Sequence, residues 1–177
     1  MKKNLYIFMI LLLSCGIKKA ECQIRDFKEV NLWPVNASLK LPPFRIVDSM
    51  SFDKKTILSY NIKSLDSLID VVAFVESHEE YLPADLDIDQ QMLFQKKEVE
   101  YGRKAQKLKE EFVNIGIVKV GYLKYFIDQK DKKFYEGRLL FYRGKKLVII
   151  WLFEKYANDE QNTHSIIDSI AGSLQLN

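Results

Sequence analysis

The clearest pattern of apolar and polar positions runs from Ile117 to Tyr156, where it predicts three consecutive strands joined by two turns. The first, Ile117 to Ile127, is dense in β-branched and aromatic residues such as Val118, Val120, Tyr122 and Tyr125. Asp128 to Lys133 has no apolar residue to bury and reads as a loop. In the second strand, Phe134 to Tyr142, Tyr135, Gly137, Leu139 and Phe141 share one face. Glu136 and Arg138 take the other, so the period of two predicts a core face and a wet one. Arg143-Gly144-Lys145-Lys146 follows, with Gly144 able to supply the positive φ of a short hairpin. Leu147 to Phe153 is apolar without a break. A run so short and so apolar is buried on both faces, which places it at the sheet centre with Trp151 largely buried.

Upstream, Pro34, Pro42 and Pro43 divide the chain into short extended pieces, and Ala37 to Leu41 alternates as a strand does. Phe44 to Phe52 and Thr56 to Ile62 read as further strands joined at Asp53-Lys54-Lys55. Ser64 to Glu76 fits two templates. Leu65, Leu68, Ile69, Val72 and Val75 fall on one helical face, yet Val71 to Val75 suits a buried strand, and we assign Leu68 to Val75 as strand. Ser77 to Asp89 is an acidic loop containing Pro83. Gln90 to Asn114 reads as a helix, most firmly from Arg103 to Val113, because Tyr101, Ala105, Leu108 and Phe112 are spaced along one face. Asn114-Ile115-Gly116 would end it. After a turn at Tyr156 to Asp159, Ile166, Ile167, Ile170 and Leu174 line a final helix, with Asp159, Glu160 and a capping Asn162 near its start.

The first residues carry a different signal. Lys2 and Lys3 precede an apolar core from Leu5 to Leu13, nine residues against the roughly 20 that a spanning helix needs. Leu12-Leu13-Ser14-Cys15-Gly16 resembles the lipobox of bacterial lipoproteins. The resemblance covers about the first sixteen residues. It implies diacylglyceryl transfer to the Cys15 thiol, cleavage before Cys15 and acylation of the new amino group. Two or more chains at about 0.8 kcal/mol per buried methylene make a firm anchor, where a single chain holds marginally. In the sorting pattern of such lipoproteins an aspartate after the cysteine retains the protein in the inner membrane. Gly16 therefore points to the outer membrane, facing the periplasm.

Organisation follows from that. Residues 1–14 are a signal peptide, 15–29 a lipidated tether, and 30–177 a single domain. Without the leader, 163 residues stay, with 25 basic against 24 acidic side chains. That balance argues against nucleic acid as a partner. Lys18, Lys19 and Arg25 lie close enough to the anchor to meet anionic head groups. Cys22 is left alone once Cys15 carries lipid, and reads as a bystander or an intermolecular link. Asn36-Ala37-Ser38 matches a glycosylation sequon by chance.

Catalytic patterns are missing from the sequence: no Gly-x-Ser-x-Gly elbow, no phosphate-cradling glycine loop and no Cys-x-x-Cys pair. His78-Glu79-Glu80 lacks the second histidine of a zinc protease motif, and His78 reads as an exposed loop residue. His164, beside Ser165, does not by adjacency make a triad. Asp85, Asp87 and Asp89 take positions 1, 3 and 5 of a calcium loop. Gln90 stands where glycine is needed and Lys96 where glutamate is needed, so a solvated acidic turn is the better reading. The meander aromatics are explained by core packing rather than a ligand wall.

The pattern thus predicts an α+β domain: an antiparallel sheet with a C-terminal three-stranded meander packed by two amphipathic helices. Helix, meander, terminal helix is an order similar to Mog1/PsbP-type domains. No catalytic residue, cofactor or metal ligand is expected. The function expected is that of a non-catalytic envelope lipoprotein, anchored to membrane lipid through Cys15 and acting as a binding or assembly module for a protein partner. The alternative is an immunity-type lipoprotein that neutralises a toxin in the periplasm.

Overall fold

A computed structural model of the chain describes residues 27–32, 35–50, 56–65, 68–79, 81–103, 105–129, 132–155 and 166–177. Lys28–Leu32 (β1), Ala37–Leu41 (β2) and Gln175–Leu176 (β10) form a small antiparallel sheet in the order β1-β2-β10. The large sheet is built from Phe44–Met50 (β3), Thr56–Ser64 (β4), Ile69–Ser77 (β5), Ala105–Ile115 (β6), Val118–Gln129 (β7), Lys132–Arg143 (β8) and Lys146–Lys155 (β9). Its order is β3-β4-β5-β9-β8-β7-β6, antiparallel throughout. Helix α1 (Ile88–Gly102) links β5 to β6, and α2 (Ile166–Gly172) precedes β10.

The three predicted meander strands are present as β7, β8 and β9, and β9 is the middle strand of seven. Its residues serve two cores. Val148, Ile150 and Leu152 pack with the small sheet and α2, while Leu147 and Ile149 pack under α1. The hairpin before β9 turns at Gly144, φ +59°, the positive φ that a two-residue loop requires at its first position. Ala37 to Leu41 and the assigned strand at Leu68 to Val75 also form, the latter as β5, whose alternate residues Ile69, Val71, Ala73 and Val75 are buried. Buried Ile167, Ile170 and Leu174 bring α2 and the residues after it onto the sheet. Asp53 to Lys55, Asp159, Glu160 and Asn162 lie outside the described residues.

The expected fold class does not hold. The described chain is mostly β, ten strands in two sheets with two α-helices, rather than a balanced α+β domain of a meander packed by two amphipathic helices. The main cause is residues 105–114, which fall within the helix expected over Gln90 to Asn114. The helix is present but ends at Gly102, and Ala105 to Ile115 pair with β7 from Ala105↔Ile127 to Ile115↔Val118. Gly116, φ +61°, is a hairpin turn and not a helix stop. The helical spacing of Tyr101, Ala105, Leu108 and Phe112 is overridden by this non-local ladder, which tertiary context does to propensity routinely. The presumed loop at Asp128 to Lys133 is likewise mostly strand, since Asp128↔Lys133 and Gln129↔Lys132 continue the ladder.

Helix α1 starts where its cap dictates. Asp87 precedes it in an extended conformation and its carboxylate accepts the Asp89 N–H at 2.8 Å. Ile88, Met92, Gln95 and Val99 then recur at helical spacing and face the sheet. That packing overturns the expectation of a wet face for Glu136 and Arg138. Both are buried, at 0% and 1% exposure, because α1 lies across their side of β8.

Candidate functional site

The site begins with β6, an edge of the large sheet. A register shift between Lys107 and Lys109 leaves Leu108 as an extra residue in the strand. Beyond the bulge the strand is regular, with Lys109, Glu111, Val113 and Ile115 on the face away from α1 and Glu110, Phe112 and Asn114 on the other. On the α1 side Glu110 accepts from Lys107 and Lys96, and these two ammonium groups hold its carboxyl below the usual carboxylate range. Lys119 pairs with Asp89 at 2.6 Å and stands 4.1 Å above the Phe112 ring.

On the opposite face, β6 borders a cleft of about 210 Å³. Its four alternate residues form one wall, Tyr122 and Leu139 the floor, and Ala171 and Gly172 at the end of α2 the facing wall. Lys109 and Glu111 pair at 2.8 Å on the rim, both substantially exposed, and Val113 is 46% exposed although apolar. Lys109 Nζ also lies 5.2 Å from the centre of the Tyr122 ring.

Tyr122 is buried, and its hydroxyl donates to Asp168 Oδ1 at 3.0 Å. Lys124 Nζ donates to the other oxygen of the same carboxylate. Burial first, and then the Asp168 charge, push the Tyr122 phenol well above its ordinary pKa. A phenol so held stays protonated at neutral pH. It serves as a fixed donor tying β7 to α2, and it floors the cleft with an aromatic face.

Residues singled out by sequence divide into three groups. Cys15, Cys22 and His164 lie outside the described residues. His78 is not an exposed loop residue: it is partly buried, stacked on Tyr81 at 4.7 Å between ring centres and 3.3 Å from the Tyr142 hydroxyl. The aspartates do not converge on a cation. Asp87 caps α1 and Asp89 pairs with Lys119. Among the described residues no three His, Cys, Asp or Glu side chains gather as metal ligands. The cleft is hidden in the sequence because the apolar spacing of its long wall fits a helix. The period-two run Lys109, Glu111, Val113, Ile115, ending at Asn114-Ile115-Gly116, was the signal that could have found it.

No protein-family model matches the chain, and no curated protein is similar to it in sequence. Solved structures do match in fold. The solution structure of cyanobacterial PsbP (CyanoP) from Synechocystis sp. PCC 6803 aligns over 86% of this chain and 93% of its own, with TM-score 0.62 and 14% identity. A protein of unknown function from Pseudomonas aeruginosa, PA94, aligns over 81% and 92% with TM-score 0.46 and 11% identity. A Bacteroides thetaiotaomicron protein aligns over 86% of this chain and 49% of its own, with TM-score 0.48 and 9% identity. The first of these bears out the PsbP-type likeness read from the element order, as a likeness of fold alone. No helix among the described residues is long and apolar enough to cross a membrane.

Proposed function

We propose that the protein is a lipid-anchored, non-catalytic binding or assembly module of the cell envelope. The observation that carries this reading is Leu12-Leu13-Ser14-Cys15 behind Lys2, Lys3 and a nine-residue apolar core. Cys15 is the lipid-attachment residue, and Gly16 directs the protein to the outer membrane, on its periplasmic side. The β6 rim supports the binding half of the reading, since a long sheet edge beside a small cleft is a surface for a macromolecule. The cleft is smaller than the roughly 300–1,000 Å³ of ordinary small-molecule sites.

The test is labelling in cells. Radiolabelled palmitate should enter the wild-type chain and not Cys15→Ser, and the wild type alone should pellet with membranes. Equal labelling of the two proteins would remove the basis of the proposal.

A further inference from the structure

We propose that β6 accepts one more strand on its free edge. The occupant is an extended segment of a partner protein whose every second residue reads apolar, apolar, basic, acidic, laid antiparallel so that those four side chains stand opposite Ile115, Val113, Glu111 and Lys109. The proposal rests on the reading of the protein as a binding module and names where, and what chemistry, it binds.

Backbone geometry comes first. β6 pairs with β7 along one side over Ala105 to Ile115, and among the described residues no strand lies on its other side. The outward N–H and C=O groups of such an edge form a template for another strand. The edge is partly guarded. The bulge at Leu108 and the charges of Lys107, Lys109, Glu110 and Glu111 discourage indiscriminate pairing over the first half. Phe112 to Ile115 carry no charge and no bulge. The opposite edge, β3, is shorter and has its own bulge, between Ile46 and Asp48.

Side chains then choose the occupant. A strand added about 4.8 Å from β6 sets alternate side chains directly opposite Lys109, Glu111, Val113 and Ile115. In the free protein Lys109 and Glu111 neutralise each other at 2.8 Å, with 43% and 37% of their side chains exposed, so this pair contributes little and can be exchanged for intermolecular ones. Antiparallel pairing then asks for apolar residues against Ile115 and Val113, a base against Glu111 and an acid against Lys109. A second copy of this chain does not satisfy the pattern. Aligning Lys109 with Glu111 of the copy sets Glu110 against Glu110, and the other registers oppose like charges or set charge against Val113 and Ile115.

The experiment titrates the full chain, in detergent, into two fluorescent capped heptapeptides. One is Val-Thr-Ile-Thr-Lys-Thr-Glu and the other exchanges its last Lys and Glu. The wild type should prefer the first by about tenfold, and the Lys109→Glu/Glu111→Lys double variant should prefer the second by a similar factor. Val113→Lys, a change at a half-exposed position, should weaken both peptides at least about tenfold with an unchanged urea midpoint. Equal affinity of the wild type for the two peptides, no binding at millimolar concentration, or a preference that the double variant leaves unreversed overturns the proposal. Crosslinking to a partner in intact envelope separates it from the broader reading. Capture by wild type and Val113→Lys alike sinks the edge proposal and leaves the binding-module reading standing. Reversible peptide selectivity without any envelope partner does the opposite.

Discussion

On β8 the Arg138 guanidinium and the Glu136 carboxylate lie 2.7 Å apart with 1% and 0% of their side chains exposed. They share one face of the strand because they are two residues apart, and α1 seals that face. Arg138 also donates to Gln95 and, at 2.8 Å, to Glu98, both on α1, and its guanidinium stacks 4.9 Å from the Trp151 ring. Arg103, just past the helix, donates to Glu136 at 2.6 Å. The two charges thus clamp the middle and the C-terminal end of α1 to the sheet.

A clamp of this kind is sensitive to single changes, because removing one partner leaves the other buried with only a half-exposed residue, Glu98 or Arg103, to balance its charge. Glu136→Gln should destabilise the protein by about 3–5 kcal/mol, and Arg138→Met by a similar amount. The double replacement should cost less than the two singles added, since neither charge is then left alone. Urea midpoints of the three variants decide it. Simple additivity would mean the two groups do not act as a pair.

Two glycines predict a graded pair of substitutions. A Cβ on Gly137 would stand 2.5 Å from Ile167 Cγ2, and one on Gly121 would stand 2.3 Å from Met92 Sδ. Isoleucine is stiff and fully buried, whereas methionine has three rotatable bonds with which to move aside. Gly137→Ala should therefore cost about 1–3 kcal/mol and Gly121→Ala distinctly less. Ile167→Val leaves Cγ2 in place, so Gly137→Ala should cost as much in that background, whereas in an Ile167→Ala background it should cost distinctly less. Melting curves showing the reverse order would mean that Met92 has no room to move.

The central strands were legible because both halves of their signal are local. An unbroken apolar run such as Leu147 to Phe153 has one stable setting, between two layers, and Gly144 marks the turn before it. What was not legible depends on what lies across a face. Nothing beside Glu136 and Arg138 in sequence announces Gln95, Glu98 and Arg103, 33 to 43 residues away, as their cover. Residues 105–115 show the same limit from the other side. Their apolar spacing fits a helix locally, and only the ladder with β7 makes them a strand and an edge. The cleft was hidden with them. The lipobox needs no fold to be read, since it is recognised as an extended peptide.

Tyr122 gives a prediction in pH. A phenol whose pKa is higher in the folded than in the unfolded chain contributes stability that is complete below the unfolded value, about 10, and declines as pH rises past it. The Tyr122 Cζ resonance should therefore not shift across the ordinary tyrosine range, moving only as the protein unfolds in strong alkali. Asp168→Asn should lower its midpoint in part, since burial, the larger cause, is retained. Tyr125, also raised by burial but not by Asp168, should be unaffected by that change. A Tyr122 midpoint near 10 in the wild type would show that the hydroxyl is open to water.

The last prediction concerns Trp151, which meets Phe74 edge-on at 4.9 Å and lies under Arg138. It is partly rather than wholly buried, yet its Nε1 is buried and has no hydrogen-bond acceptor. The ring therefore contributes packing and a surface for the guanidinium, while its N–H carries a desolvation penalty. Trp151→Ala should cost about 3 kcal/mol, the low end for large aromatic truncations, because part of the ring already touches water. Trp151→Phe keeps an aromatic face beneath Arg138 and deletes the unsatisfied donor, so it should cost less than about 1 kcal/mol. Guanidinium denaturation of both variants checks the pair. If Trp151→Phe proves as damaging as Trp151→Ala, the indole N–H has a partner, most simply a bound water, and the ring's weight in the clamp is smaller than its geometry implies.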